Sequence, residues 1–194
     1  MKKVIALSCS PSQGRNSDSM LDAFLKGVSV IDTVEVEKIY LSDVHIEHLT
    51  HGNKKAPLPQ EGDFAELAEK IQSADGLVIA TPTYNFSVPA HLKNFVDRAY
   101  FFALDPEKKN MLKQPRGKLG YLRMYALVSG GTPVWIQKML FFLYPPFWLR
   151  CVFAYYDVSK YSSYYSGDEQ TFNNTEVLAD CTKKGIGYTQ KLLG

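Results

Sequence analysis

The sequence predicts an α/β sandwich built on a mostly parallel sheet, and three observations carry that expectation. The short runs Val4-Ile5-Ala6-Leu7-Ser8 and Leu77-Val78-Ile79-Ala80 are apolar without alternation, as expected of strands buried on both faces. Segments of helical period separate such runs, so that strand and helix alternate five times along the chain. The connections between them are short, as in successive βαβ units.

Taken in order, residues 4–8 form the first strand and lead into a loop of small polar residues at 10–17. Asn16 or Ser17 can cap the helix that follows, whose apolar positions are Met20, Leu21, Phe24, Leu25 and Val28. Residues 34–40 alternate like a strand nearer an edge. Phe64, Leu67, Ala68 and Ile71 mark a second helix, and Ala74-Asp75-Gly76 leads from it into the buried run at 77–80. Residues 89–102 read as a third helix, with Pro89 near its first turn. A fourth strand at 119–128 ends at Ser129-Gly130-Gly131. The remainder reads as a helix at 132–143, a fifth strand at 150–158 and a closing helix at 175–192.

The chain has 194 residues, and at ~150 residues per domain that is one domain spanning 1–194. No repeat, low-complexity tract or linker divides it. Lys and Arg number 22 against 20 Asp and Glu, a net charge of +2. That balance argues against nucleic acid and anionic lipid as partners. Apolar residues at 45% and charged residues at 22% exclude a disordered chain. Three cysteines, Cys9, Cys151 and Cys181, form no C-x-x-C pair and fit reduced thiols in the cytoplasm better than a disulfide scaffold. The first apolar run holds four residues, against the ~7–15 of a secretory leader. Residues 139–149, cut by Pro145-Pro146, fall short of the ~20 that span a bilayer. A soluble, cytoplasmic protein is expected.

In an open parallel sheet, ligands bind outside the carboxyl ends of the strands, near the reversal of strand order. The loops after the first, third and fourth strands are therefore the candidates. The first offers hydroxyls at Ser10, Ser12 and Ser17, the amide of Asn16 and the cation of Arg15, and it opens onto a helix amino terminus. Free N–H groups and about half a positive charge at such an end attract an anion, and a phosphate monoester suits it. An ordinary Ser-rich loop with a helix cap is the competing reading. Neither G-x-x-x-x-G-K-[ST] nor G-x-G-x-x-G is present there, and Gly185-Ile186-Gly187 reads as a packing feature of the last helix. In the second loop Pro82, Thr83, Tyr84, Asn85 and Phe86 combine stiffness, flat rings and exposed amides. A planar heterocycle needs that combination, while a rigid turn with core aromatics is the alternative. In the third, Ser129, Gly130 and Gly131 let a backbone approach a ligand closely.

The segment from Pro82 to Asp97 resembles the P-x-Y-N-x-S-x-P-x-x-L-K-N-x-x-D signature of the flavodoxin-like NADPH-dependent FMN reductase family. It matches at nine specified positions over sixteen residues. The first loop is similar to the family's phosphate loop at Ser10, Pro11, Asn16 and Ser17, with Cys9 in place of Gly and Ser12 in place of Arg. The resemblance implies a flavodoxin-like three-layer sandwich with a five-stranded parallel sheet, binding FMN and taking electrons from NADPH or NADH. It also implies a small-molecule electron acceptor such as a flavin or quinone, and a homodimer or homotetramer with flavin sites near the interface. On this reading residues 10–17 hold the phosphate, 82–86 support one edge of the isoalloxazine, and 129–131 lie near its pyrimidine end. No side chain is required as acid or base, so no catalytic residue is expected. Lys93, Asn94 and Asp97 anchor their helix. A flavodoxin-type electron carrier and a flavin-free binding or regulatory module are the other readings.

The iron–sulfur branch of the family carries cysteines where this chain has His45, His48 and His51 and no cysteine. A thiolate-held cluster is not expected there. The three histidines at i, i+3 and i+6 suit a zinc face if helical and ordinary loop positions otherwise; no metal is expected. The aromatic stretch 134–149 is a core helix, a lid or a subunit interface, with the interface preferred. Tyr155, Tyr156, Tyr161, Tyr164 and Tyr165 are placed at a strand end and surface loop.

Overall fold

The computed structural model describes every residue of the chain except Asn110, Leu112, Phe141 and Leu143. A five-stranded sheet runs through the middle, formed by β1 (Lys2–Ser8), β2 (Val34–Tyr40), β3 (Gly76–Pro82), β6 (Arg123–Ser129) and β7 (Lys160–Ser166). The strand order is β2-β1-β3-β6-β7 and every pairing is parallel. The order reverses between β1 and β3, which makes that crevice the topological switch point. β4 (Leu104–Lys109) and β5 (Pro115–Gly117) form a separate antiparallel pair.

Alternate residues of the inner strands supply the two faces. Val4, Ala6, Val78, Ala80 and Leu127 pack under α1 (Asn16–Val28) and α7 (Thr175–Leu193). Ile5, Leu7, Leu77, Ile79 and Val128 pack under α2 (Gly62–Ser73), α3 (Ala90–Arg98) and α6 (Pro145–Tyr155). Two short helices, α4 (Tyr100–Ala103) and α5 (Val134–Met139), complete the set. α1 and α7 cross in close contact: a Cβ on Gly27 would stand 2.0 Å from the Thr182 carbonyl oxygen, and one on Gly185 would stand 2.1 Å from that of Phe24.

Residues 150–155 of the strand expected at 150–158 instead close α6. Pro145 and Pro146 start that helix, where a missing N–H costs nothing. Its buried residues Pro145, Leu149 and Phe153 recur every four positions, a helical spacing masked by the strand-favouring composition of Val152, Phe153, Tyr155 and Tyr156. The fifth strand lies in the tyrosine-rich stretch, at Lys160–Ser166. It is an edge strand whose buried residues are confined to Tyr165 and Ser166. The helix expected at 89–102 breaks into α3 and α4, and the one at 132–143 contracts to α5; its Phe141 and Leu143 lie outside the described residues.

Much of the signature in α3 is structural. Asn94 Nδ2 donates to the Ile46 carbonyl oxygen at 2.9 Å, and Lys93 pairs with Asp97 one turn on. Next to them Arg98 and Glu61, both side chains fully buried, meet in a two-pronged ion pair at 2.7 and 3.0 Å. The Glu61 carboxylate also accepts the N–H groups of Glu47 and Leu58, at 2.8 and 2.6 Å, and Arg98 Nη1 donates to the Glu47 carbonyl oxygen. One buried carboxylate thereby fastens the 44–58 connection to α2 and α3. Burial alone would raise the Glu61 carboxyl, but the donated hydrogen bonds and the Arg98 charge hold it below the ordinary range. Such a group stabilises the fold fully above its unfolded value of about 4.3 and progressively less as pH falls through its folded value. Glu61→Ala strands a buried guanidinium and is expected to cost about 3–5 kcal/mol in urea unfolding at neutral pH, a difference that narrows below about pH 4.

Candidate functional site

The ladder at the carboxyl rim of the sheet continues past the strands into the loops. The N–H of Cys9 donates to Ala80 at 2.8 Å, that of Thr83 to Ser129 at 2.7 Å and that of Gly130 to Ser166 at 2.9 Å, each to a carbonyl oxygen. These bonds gather the ends of β1, β3, β6 and β7 around a cleft of about 380 Å³, within the size range of small-molecule sites. Of the residues singled out in the sequence, Ser10, Ser12, Arg15, Asn16 and Ser17 line it from the first loop, Pro82, Thr83 and Tyr84 from the second, and Ser129, Gly130 and Gly131 from the third.

Asn85 and Phe86 are not among the lining residues. Tyr84 and Ser87 exchange two backbone hydrogen bonds of 2.9 Å across a tight turn, and both intervening residues have positive φ, 49° at Asn85 and 63° at Phe86. Paired positive φ values define the hairpin turn that follows the strand twist. This turn carries Phe86 outward, 61% exposed, with its ring edge-on to Tyr144 at 5.8 Å.

The cleft also has two lining residues that the sequence reading did not place, Glu169 and Phe172. Both follow β7. With the fifth strand assigned to 150–158, their segment did not register as a strand-end loop; reading residues 160–166 as the edge strand would have located it. Asn16 ties this segment down: its Nδ2 donates to the Glu169 carbonyl oxygen at 2.9 Å, and its Oδ1 accepts the Phe172 N–H at 3.2 Å. The Arg15 guanidinium lies over the Phe172 ring, 5.2 Å from its centroid. The bare Cα of Gly130 is required from within the protein, since a Cβ there would stand 2.7 Å from the Tyr165 hydroxyl and 3.3 Å from Thr83 Cβ. At Gly131 the same construction meets Glu169 Oε1 at 3.1 Å.

The first loop is braced from behind by Asp18. This buried carboxylate accepts the Ser8 hydroxyl at 2.6 Å and the Gly14 N–H at 2.7 Å, and pairs with Lys38 of β2 at 2.9 Å. Burial would raise its carboxyl, yet these donors hold it below the usual range. Ser10 Oγ closes a small turn with the N–H and carbonyl of Ser12. No side chain caps α1 at Arg15, so the first-turn N–H groups keep their capacity to bind an anion. Two hydroxyls lining the cleft, Ser17 Oγ and Thr83 Oγ1, are buried without a hydrogen-bond partner. Groups of that kind are uncommon in folded proteins, and here both border one cavity.

His45, His48 and His51 fall on an irregular stretch after a 3-10 turn at Leu41–Asp43, so they share no helical face. Among the described residues no group of three or more His, Cys, Asp or Glu is placed to hold a metal ion.

Residues 2–144 match the NADPH-dependent FMN reductase family. The chain belongs to that family. It is similar to an iron–sulfur flavoprotein of Archaeoglobus fulgidus, with 31% identity over 145 residues, 68% of this chain and 66% of that protein. It is similar also to an FMN-dependent NADH:quinone oxidoreductase of Metamycoplasma arthritidis, with 33% identity over 139 residues, 69% of this chain and 70% of that protein. The matched region thus spans about two thirds of these curated relatives. Among solved structures, an FMN-dependent NADH-azoreductase of Bacillus anthracis in complex with FMN superposes with a TM-score of 0.72 at 20% identity, over all of both chains; the fold is therefore the flavodoxin-like one expected. Glu169 and Phe172 lie beyond the segment that matches the FMN reductase family, held to it through Asn16. In Asn16→Ala, amide exchange at Phe172 is expected to rise at least tenfold, since one hydrogen bond of about 1.5 kcal/mol holds that N–H; hydrogen-exchange mass spectrometry of residues 167–173 checks it.

Proposed function

We propose that this chain binds FMN in the rim cleft and acts as an NAD(P)H-dependent oxidoreductase toward a quinone or a similar small acceptor. The observation that carries the reading is the pair of buried, unpartnered hydroxyls, Ser17 Oγ and Thr83 Oγ1, bordering a cleft that opens at the amino end of α1. A phosphate ester with a hydroxylated chain supplies what both lack: acceptor oxygens for the first and hydrogen-bonding partners for the second. Ser10, Ser12, Ser17, Arg15 and the first-turn N–H groups of α1 would hold the phosphate. Asn16 contributes by fixing the loop after β7, because both ends of its amide are engaged there. Pro82, Thr83 and Tyr84 would support the ring, and the 129–131 backbone its polar edge, while Asn85 and Phe86 border the mouth. When bound, the flavin supplies the two-electron exchange between nicotinamide and acceptor. The protein's part is to orient it, shield one face and leave the other open.

The charge of +2 favours a reductase over a flavodoxin-type carrier, which is usually acidic. Among the described residues Arg15 is the one cation lining the cleft, too few for a 2′-phosphate cluster, and turnover with NADH and with NADPH tells the donor. Three free cysteines fit a reducing cytoplasm. Among the described residues no helix is long and apolar enough to cross a membrane. Val134, Trp135, Met139 and Phe142 are exposed apolar side chains within nine residues of chain, with Trp135 at 67% and Met139 at 63%. We assign them to a homodimer interface, since aromatic and Met side chains of this kind concentrate at subunit contacts.

Ser17→Ala tests the site through two effects of opposite sign. It removes a charge-assisted hydrogen bond worth about 1.5–3 kcal/mol, so FMN affinity is expected to fall roughly 10- to 100-fold by fluorescence titration. The flavin-free protein, relieved of a buried unpaired hydroxyl, is expected to unfold no earlier than the parent. Absence of flavin absorption after loading with FMN, or of NADH and NADPH oxidation with added quinone, overturns the functional reading itself. In sedimentation velocity the parent is expected as a dimer and Trp135→Lys as a monomer.

A further inference from the structure

The two glycines of α7 are not equivalent. Gly185 is demanded by its contact with α1, whereas a Cβ on Gly187 would meet nothing within 4 Å. A glycine inside a helix costs about 1 kcal/mol relative to alanine, and at Gly187 neither packing nor a special backbone conformation accounts for it. What Gly187 borders is a groove of about 180 Å³ between α7 and the β6–β7 margin of the sheet.

The charged residues that line that groove are all cationic. Arg123, Lys184 and Lys191 line it, together with Tyr125, Ser162 and Tyr188, and no carboxylate does. Among the described residues none of these three cations forms an ion pair with Asp or Glu. Lys160 stands opposite Arg123 in the parallel register and so shares its face of the sheet. One of the cations is held in place, and the strand that carries another is pinned. Lys184 Nζ lies 4.5 Å above the Tyr164 ring, and the backbone carbonyl of Arg123 accepts the Tyr188 hydroxyl at 2.9 Å. Burial pushes the Tyr125 phenol up to about 12, so it remains an O–H donor at neutral pH. The Asp75 carboxylate, whose field reaches Tyr188, is committed to Lys2 and to the Lys3 N–H, so cations predominate in the wall of the recess and gather counter-ions there.

We propose that this groove is a binding site for a phosphate dianion, free or as the monoester end of a small solute. Gly187 is kept side-chain-free so that the anion can reach Lys184, Lys191 and Arg123 together. Three cations lining one recess suit a tetrahedral dianion, whose several acceptor oxygens can each take a charge-assisted hydrogen bond. The volume lies below the ~300 Å³ at which sites for whole drug-sized ligands begin, which favours a phosphoryl group over a nucleotide. The site is distinct from the rim cleft. Arg123 opens β6 and Ser129 closes it, six residues on, which at ~3.3 Å per residue is about 20 Å.

The test is equilibrium dialysis of radiolabelled inorganic phosphate at about 0.15 M ionic strength, where weak surface charge effects are screened. FMN is loaded to one equivalent per chain and the excess removed beforehand, which keeps phosphate out of the rim cleft without adding a competing monoester. Saturable binding of about one phosphate per chain is expected. Gly187→Glu places a carboxylate in the groove at a helical position that glutamate suits better than glycine, and is expected to weaken binding more than tenfold. Lys184→Gln combined with Lys191→Gln leaves the groove open and is expected to do the same, which covers the case of a misfolded first variant. Displacement by unlabelled phosphate or by glycerol 3-phosphate supports the site and tells which form it takes. Equal binding by the parent and the folded variants, or no saturable binding by the parent, overturns the proposal.

Discussion

At the carboxyl rim of the sheet the main-chain ladder outruns the strands, and the bonds from Cys9 to Ala80, Thr83 to Ser129 and Gly130 to Ser166 decide where the loops can go. Each is an ordinary parallel-sheet bond in geometry. Together they remove the freedom that a strand-end loop normally has, so that polar groups from distant parts of the chain arrive at one cleft in fixed relation. Because the strand order reverses between β1 and β3, the helices that follow those two strands leave on opposite faces of the sheet. The cleft is the space they vacate.

The electrostatics of the cleft follow from the same frame. A buried carboxylate is unfavourable unless its charge is fully committed to partners, and Asp18 meets that condition. Its hydrogen bonds to Ser8, Gly14 and Lys38 turn a potential repulsion into a brace between β1, the first loop and β2. The positive end of α1, with Arg15 beside it, then faces the cleft without opposition from Asp18, and Glu169 is the carboxylate residue that lines it. The Arg98–Glu61 pair plays the corresponding part on the opposite face, where the signature residues of α3 act as structural anchors.

The fold was legible wherever burial imposed a period. Residues 4–8 and 77–80 are apolar because both their faces are covered, and Met20, Leu21, Phe24 and Val28 recur as a single helical face must. The reading failed at 150–166, where the two signals conflict: α6 is built from strand-favouring aromatics and β7 from serines and tyrosines. An edge strand needs little apolar surface, so its sequence advertises little. That one exchange also hid Glu169 and Phe172. Asn85 and Phe86 were placed by kind and not by direction, since ring chemistry is written in the sequence but the left-handed turn that swings the ring away is not. The dual engagement of the Asn16 amide was equally invisible, because its partners lie more than 150 positions along the chain.

The interlocked glycines of α1 and α7 have a consequence for how a protein of this kind diversifies. Gly27 and Gly185 leave each helix backbone in contact with the other, so any shift of α7 drags α1, and with α1 the first loop of the cleft. Residues 145–194 lie outside the stretch that matches the family, yet they form α7, the last strand and one wall of the cleft. Selection acting on that carboxyl-terminal quarter can therefore reshape ligand preference by remote mechanical leverage while every signature position stays untouched.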